Sequence, residues 1–316
     1  MLTPKPRREN VFTLDGQPLV AKVPHFNGDY LPFSLAEAVQ LLGGLDKAIR
    51  PGDRVLLKPN FNCSYALPLS TDLAFLAGVI ELLQDAGARV IVGELSGRAD
   101  WPTDKVVRNL KVMPVLQRYG VPFINFEYDQ WLPMEIPGRF FKSIRVPCTI
   151  YEADKRVYLA NMRCHSAGRF SGALKLGVGW IDLEQRDYLH EDTATVELKI
   201  PELHLGWQPD LVLMDGRRST VGWHGRGEYV YPNVIMASGD MVAIDTQAVE
   251  ILKTFPAENR LDIPTEEIGQ LKAARELCLG SMKSTVLEAS GHRATEQEGM
   301  LKDPALLKHA AEFKKS

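Results

Sequence analysis

The stretch from Pro51 to Glu94 constrains the fold more than any other part of the chain. "GDRVLLKPN" begins in a turn at Pro51, Gly52 and Asp53 and runs into a short apolar strand, Arg54 to Lys58. In "STDLAFLAGVIELLQDAG", Leu73, Leu76, Ile80 and Leu83 recur on one helical face. Ser70 or Thr71 can cap the start of that helix, and Gly87 suits its end. "ARVIVGE" is then a second strand. Strand, helix and strand with short joints make a βαβ unit, and its crossover is expected to be right-handed.

The alternation continues. Residues 105–119 predict a helix ending at Gly120, before the strand "VPFINFE". The stretch 129–147, with Pro133, Pro137 and Pro147, suits extended segments or a small hairpin. "KRVYLANMR" reads as a strand, and "TATVELKIPELHLGW" as helical on either side of Pro201, which breaks or begins a helix. "PDLVLMDG" and "NVIMASGD" read as buried strands, "MVAIDTQAVEILKTF" as the helix after the second, and 264–278 as another helix. The runs Val55–Leu57, Val90–Val92 and Leu211–Met214 do not alternate with polar residues, as expected of strands covered on both faces. The expected fold is α/β, a largely parallel sheet with helices on both faces. Its core, 51–289, is either one body or two lobes, 51–150 and 151–289, around a cleft. Residues 1–50 are then an N-terminal extension packing on the core, and 290–316 a polar, loosely held tail.

Composition narrows the partners. With 316 residues and a net charge of -3, the chain lacks the clustered Lys and Arg of a nucleic-acid footprint. Lys5, Arg7 and Arg8 form a short solvated start. No window reaches the ~18 apolar residues of a membrane span. The N-terminus lacks the apolar core of a signal peptide, so the mature chain is expected to start near Met1, in the cytoplasm. Oligomeric state is left open, a homo-oligomer included. Of the four cysteines, Cys63, Cys148, Cys164 and Cys278, no two form a CxxC pair, so no iron–sulfur cluster is expected. Cys148 and Cys278 read as packing thiols, and Cys63 and Cys164 lie beside polar motifs.

Polar residues punctuate the strands at one end. Lys58 and Asn60 follow the first strand and Glu94 the second; Arg163 and His165 follow "VYLANM", Asp215 follows "LVLM" and Asp240 follows "VIMASG". In a parallel sheet those ends share one edge, where open α/β folds bind ligands. The stretch "GALKLGVGWIDLEQRDYLH" adds Lys175 among Gly172, Gly177 and Gly179, and closes on His190. Each glycine gives up a Cβ where backbone must come close to something. Either exposed amides and the ammonium hold a phosphate or carboxylate, or the glycines line a tight interior bend. The GxxxxGK[ST] order of a P-loop is missing. Leu174, Leu176 and Val178 argue that Lys175 is buried, where a lysine needs a partner. His165, His190 and Lys175 are therefore the candidate catalytic residues. Lys58, Asn60, Glu94, Arg163, the three glycines and His224, in the loop "GWHGRG", are the candidate ligand-binding residues. With no HExxH or HxH pair, a divalent cation would be held by distant carboxylates, Asp215 and Asp245. Asp240 is equally explained as a helix N-cap.

"VLLKPNF", "ARVIVGE", "CHSAGRFSGALKLGVGWI", His190, "PDLVLMDG" and "VIMASGDMVAIDTQA" in this order resemble the domain-of-unknown-function 362 family over roughly residues 50–255. The resemblance implies an α/β domain, often joined to an iron–sulfur ferredoxin cassette. Position by position it puts the family's polar residues on Lys58, Asn60, Glu94, His165, Lys175, His190, Asp215, Asp240 and Asp245. The chain departs from the family in having no ferredoxin cassette. The usual lysine before the first histidine is matched by Arg163, two positions earlier, and the asparagine after the run's lysine is Leu176.

Two functional readings remain. One is an enzyme acting on a small phosphate- or carboxylate-bearing substrate, by acid/base or metal-assisted chemistry. The other is a non-catalytic accessory protein holding a cofactor or metal in the same cleft.

Overall fold

Strands that are apolar on both faces need helices on both sides of the sheet, and the chain divides its helices in this way. The computed structural model describes residues 2–97, 101–222 and 228–289. In chain order its principal strands are Gln17–Pro24 (β1), Arg54–Lys58 (β2), Arg89–Glu94 (β3), Phe123–Asn125 (β4), Lys155–Asn161 (β5), Leu211–Gly216 (β6), Val234–Ser238 (β7) and Thr285–Glu288 (β8). They stand across one sheet in the order β8-β1-β7-β6-β5-β2-β3-β4, with the short strand Thr13–Leu14 also on β1. Parallel pairing joins β6, β5, β2, β3 and β4, and joins β8 to β1. Of these eight, only β7 runs against the rest, antiparallel to both β6 and β1.

The principal helices, besides the single turn Cys148–Glu152, are Leu31–Leu41 (α1), Leu73–Asp85 (α2), Thr103–Asn109 (α3), Val112–Arg118 (α4), Leu183–His190 (α5), Val196–Glu202 (α6), Met241–Lys253 (α7) and Gly269–Glu276 (α8). Successive strand residues point to opposite faces. Val55, Leu57, Val157, Leu159 and Leu213 pack with α1 to α4, whereas Leu56, Tyr158, Val212 and Met214 pack with α5 to α8. The structure is thus α/β, with a mostly parallel sheet covered on both faces. Among the described residues no helix is long and apolar enough to cross a membrane.

Local departures from the sequence reading have local causes. The helix expected over 105–119 is two short ones, α3 and α4, because Lys111 between them adopts a left-handed conformation, φ 59°. Asp72, rather than Ser70 or Thr71, caps α2, accepting from the amides of Ala74 and Phe75, each at 3.1 Å. Pro201 sits in the last turn of α6, which ends one residue later. The stretch 129–147 is a hairpin, Trp131–Glu135 against Ser143–Pro147. The first 50 residues give the sheet β1, between β7 and β8, as well as α1.

The direction of β7 has the largest consequence for the site. Asp240 follows its carboxyl end, and because β7 is reversed that end lies at the amino edge of β6 and β5. Asp240 is therefore not with Lys58 and Glu94. It caps α7, accepting from the amides of Val242 at 2.8 Å and Ala243 at 3.0 Å, and also from Ser281 at 3.0 Å. Asp240→Ala is expected to cost about 1–2 kcal/mol, the range for a lost helix cap. Urea unfolding of the full chain measures it; an unchanged midpoint would show that water replaces the cap.

Candidate functional site

The carboxyl ends of β2 and β3 meet in a buried ion pair. The Lys58 ammonium donates to Glu94 Oε1 at 2.5 Å and to the carbonyl of Pro59 at 2.7 Å. Glu94 also accepts from the amides of Phe61 at 2.8 Å and Leu95 at 2.9 Å. Burial lowers the pKa of Lys58, and the carboxylate of Glu94 works against that shift. Asn60, just beyond β2, donates from Nδ2 to Leu69 O and to Asn161 Oδ1, both at 3.1 Å. Asn161 ends β5, so three neighbouring parallel strands deliver polar groups to one edge.

The glycine-rich stretch closes over this edge as a 3-10 helix, Leu174–Trp180. Its glycines make room for buried side chains. A Cβ on Gly179 would lie 2.5 Å from Lys58 Cε and 2.9 Å from Glu94 Oε1. One on Gly177 would lie 2.7 Å from Nε2 of His204, and one on Gly172 would overlap the carboxylate of Asp245. Asp245 itself accepts from the amides of Ala173 at 2.7 Å and Leu174 at 2.9 Å, tying α7 to the start of the stretch. Burial pushes its pKa up to about 7. His204 Nε2 donates to Leu174 O at 2.8 Å, and its Nδ1 is 3.3 Å from the hydroxyl of Tyr158, which accepts from Trp180 at 2.8 Å.

Together these segments surround a small cavity of about 50 Å³. At about 10–15 Å³ per water-sized occupant it has room for about three to five such groups, the size of a carboxylate or phosphate. Lys58, Asn60, Glu94, Arg163, Gly172, Lys175 and Gly179 line it, as do Asn62, Asn161, Ser171 and Arg186. Gly177 is absent from this lining and faces His204.

The cations differ in how they are satisfied. Arg186, on α5, donates to the carbonyls of Ile181, Ser96 and Leu95. Arg163 is buried; it reaches Cys164 O at 3.4 Å, and its Nε has no partner among the described residues. Lys175 opens partly to the cavity and forms no hydrogen bond or ion pair with protein among the described residues. Burial, then the charges of Arg163 and Arg186, lower its pKa from 10.5 to about 7.

Two histidines stand near enough to Lys175 for its charge to lower their pKa values, after the larger effect of burial. His165 Nδ1 accepts from the amides of Ala167 at 3.1 Å and Gly168 at 3.2 Å, so its neutral form carries the proton on Nε2. His190 ends α5, and its Nδ1 donates to Arg186 O at 2.8 Å, which leaves a lone pair on Nε2. Neither ring is among the residues lining the cavity itself.

Other expected residues are used elsewhere. Asp215 lies at the carboxyl end of β6, where Arg217 holds both its oxygens, at 2.9 and 2.7 Å. With Asp245 engaged by backbone amides, the two expected metal ligands serve separate parts of the protein. Among the described residues no three His, Cys, Asp or Glu side chains are grouped to hold a metal. The cysteines are dispersed: Cys164 is in the core with its thiol pushed up to about 12, Cys63 is beside Ser70, Cys148 beside Glu152, and Cys278 is exposed after α8. They do not fit a cluster. His224 lies outside the described residues. Arg186 and Asn161 went unread in the sequence; Asn161 had the signal of ending a strand, whereas Arg186 in "LEQRDYLH" resembles a solvated helix residue.

The model of the domain of unknown function DUF362 matches residues 55–250. The chain belongs to this family. The matched span includes every residue that lines the cavity. The chain is also 25% identical over 253 residues to the thylakoid-associated protein sll1697 of Synechocystis sp., a match covering 77% of this chain and 77% of that protein. Among solved structures it is similar to the lactate racemase apoprotein of Thermoanaerobacterium thermosaccharolyticum, with 11% identity and a TM-score of 0.35; the match covers 78% of this chain and 59% of that one.

The depressed pKa of Lys175 has a stability signature. Between about pH 7 and pH 10 the unfolded chain, with an ordinary lysine, binds more protons than the folded one. Lys175 therefore makes stability rise with pH across this window, and the contribution is lost as pH falls toward 7. Urea unfolding at several pH values is expected to give that rise, and Lys175→Met to flatten it. Parallel curves for the two proteins would mean that the ammonium keeps its ordinary pKa.

Proposed function

We propose that this chain is a cytoplasmic enzyme acting on a small anionic substrate, phosphate- or carboxylate-bearing, by acid–base chemistry at the carboxyl edge of its sheet. One observation carries the reading: Arg163 and Lys175 border a cavity of anion size, and neither has a counter-ion among the described residues. Buried cations are normally paired. An incoming carboxylate or phosphate would supply the missing acceptors through charge-assisted hydrogen bonds.

The histidines favour catalysis over simple storage. Burial and neighbouring cations keep both rings neutral near pH 7, and their backbone bonds fix different tautomers. His190 Nε2 is a base, and His165 Nε2–H is a donor that can stabilise negative charge developing on a substrate oxygen. The Lys58–Glu94 pair and Asn60 hold the frame. The reading does not run through Asp215 and Asp245, whose oxygens are taken by protein donors.

Lys175→Met keeps much of the side chain's packing while removing the amine. Its affinity for inorganic phosphate, measured by calorimetry, is expected to fall by about 1.5–3 kcal/mol, the worth of a charged hydrogen bond. Equal affinity in variant and parent would remove Lys175 from the anion site. Nitrogen-15 NMR of the imidazoles is expected to report the Nε2–H tautomer for His165 and the Nδ1–H tautomer for His190. The same tautomer in both would favour the accessory-protein reading, in which the rings need no division of labour.

A further inference from the structure

An amine kept from protein acceptors is open to an incoming anion, and equally to an incoming electrophile. Lys175 is so isolated. It comes from the 3-10 stretch that covers the sheet edge, with guanidiniums of Arg163 and Arg186 nearby and no carboxylate hydrogen-bonded to it. Glu94, the carboxylate lining the same cavity, is taken by Lys58 and two amides. The remaining titratable neighbours are His165 and His190. Desolvation combined with adjacent cations is the setting that makes a lysine a nucleophile rather than a counter-ion. Its partial opening faces the cavity, where a reacting carbon would sit.

We propose that Lys175 is an amine nucleophile that forms a Schiff base with a small substrate bearing both a carbonyl and an anionic group, such as a 2-oxo or aldehydic acid. The proposal rests on the anion-site reading and narrows it to one substrate class. Arg163 and the N–H groups that Arg186 has not committed to carbonyls take the carboxylate, which brings the carbonyl carbon to the amine. The lysine nitrogen forms the C–N bond as the carbonyl π pair moves to oxygen; His165 and His190 adjoin Lys175 without lining the cavity, so they act on that oxygen through a bridging water, which His165 Nε2–H orients. His190 Nε2 relays a proton from nitrogen to that oxygen. A second relay removes the remaining proton from nitrogen and lets the oxygen leave as water with the electron pair of its C–O bond. The products are an imine and water, both histidines return to their starting forms, and no oxidant or reductant takes part. Burial and the neighbouring guanidiniums hold the Lys175 pKa near 7, so that a large fraction of the amine is free base at neutral pH.

Glyoxylate, the smallest aldehyde acid, is the probe, with cyanoborohydride to trap the imine as a stable carboxymethyl-lysine. The full chain is treated near neutral pH, digested and mapped by mass spectrometry, with Lys272, a half-exposed lysine paired with Glu267, as the internal reference. Lys175 is expected to be modified faster than Lys272 by about tenfold or more, since an ordinary lysine is almost wholly protonated there. Inorganic phosphate is expected to slow the reaction at Lys175 and leave Lys272 unchanged. Modification of Lys272 with Lys175 untouched overturns the proposal, and needs no variant that has to fold. If phosphate still binds by calorimetry in that case, the anion site survives and only the nucleophile falls. Rapid modification of Lys175 with neither phosphate binding nor protection keeps the nucleophile and removes the anion site. Lys175→Arg, which retains the charge, is expected to lose the adduct and to keep phosphate affinity within a few-fold.

Discussion

The Lys58–Glu94 pair is the interaction on which the rest of the site depends. Two charges out of water are tolerated only when their other hydrogen-bonding capacity is also used, and here it is. Glu94 gathers the amides of Phe61 and Leu95, so the chain leaving β2 and the chain leaving β3 both bend around one carboxylate. That bend presents the carbonyls of Leu95 and Ser96 to Arg186, and so docks α5. Gly179 lies so close that any side chain there would strike the pair, which fixes how near the 3-10 stretch can come. Two strand ends, a helix and a covering segment thus take their positions from one pair of side chains.

Charge is not balanced around it. The cavity is lined by four basic side chains, Lys58, Arg163, Lys175 and Arg186, of which Lys175 is only partly protonated near neutral pH, and one carboxylate, Glu94. Arg186 is satisfied by carbonyl oxygens, which accept its hydrogen bonds without cancelling its charge. The positive potential therefore persists into the cavity, where low dielectric strengthens it. Such an arrangement destabilises the empty fold, and the apolar layers on both sheet faces offset the cost. Sites of this kind are where local stability and function oppose each other.

What could be read from the sequence follows from the range over which each signal acts. The β2–α2–β3 unit was legible because turn residues, a helical period and apolar runs are all local. Lys58, Asn60 and Glu94 were legible for the same reason: each lies at or just past a strand end. The direction of β7 was not. An apolar run of five residues reads the same either way, and the described part of the connection from Gly216 to Val234 carries no helix to demand a parallel return. Asp240 was misplaced with it. The glycines announced close approach, but the groups they approach, Asp245, His204 and the Lys58–Glu94 pair, lie far along the chain. Arg186 was hidden because its burial comes from carbonyls supplied some 90 residues earlier. Lys111 broke a helix that the periodicity ran straight through.

The two histidines carry the argument from fold to chemistry. Each is oriented through Nδ1 by backbone, His165 by two amides that point toward it and His190 by a carbonyl one helical turn back. No side-chain carboxylate is hydrogen-bonded to either ring, and at His190 the opposing pull of Asp187 is outweighed by burial, which lowers the pKa of both. A neutral ring that accepts at Nδ1 can only donate from Nε2, and one that donates at Nδ1 can only accept there. The hairpin 163–171 and the end of α5 therefore leave an N–H at Nε2 of His165 and a lone pair at Nε2 of His190. Reversing the roles would require both turns of backbone to be rebuilt. The tautomers at this edge are thus a property of the main chain, set by two amides at one ring and one carbonyl at the other.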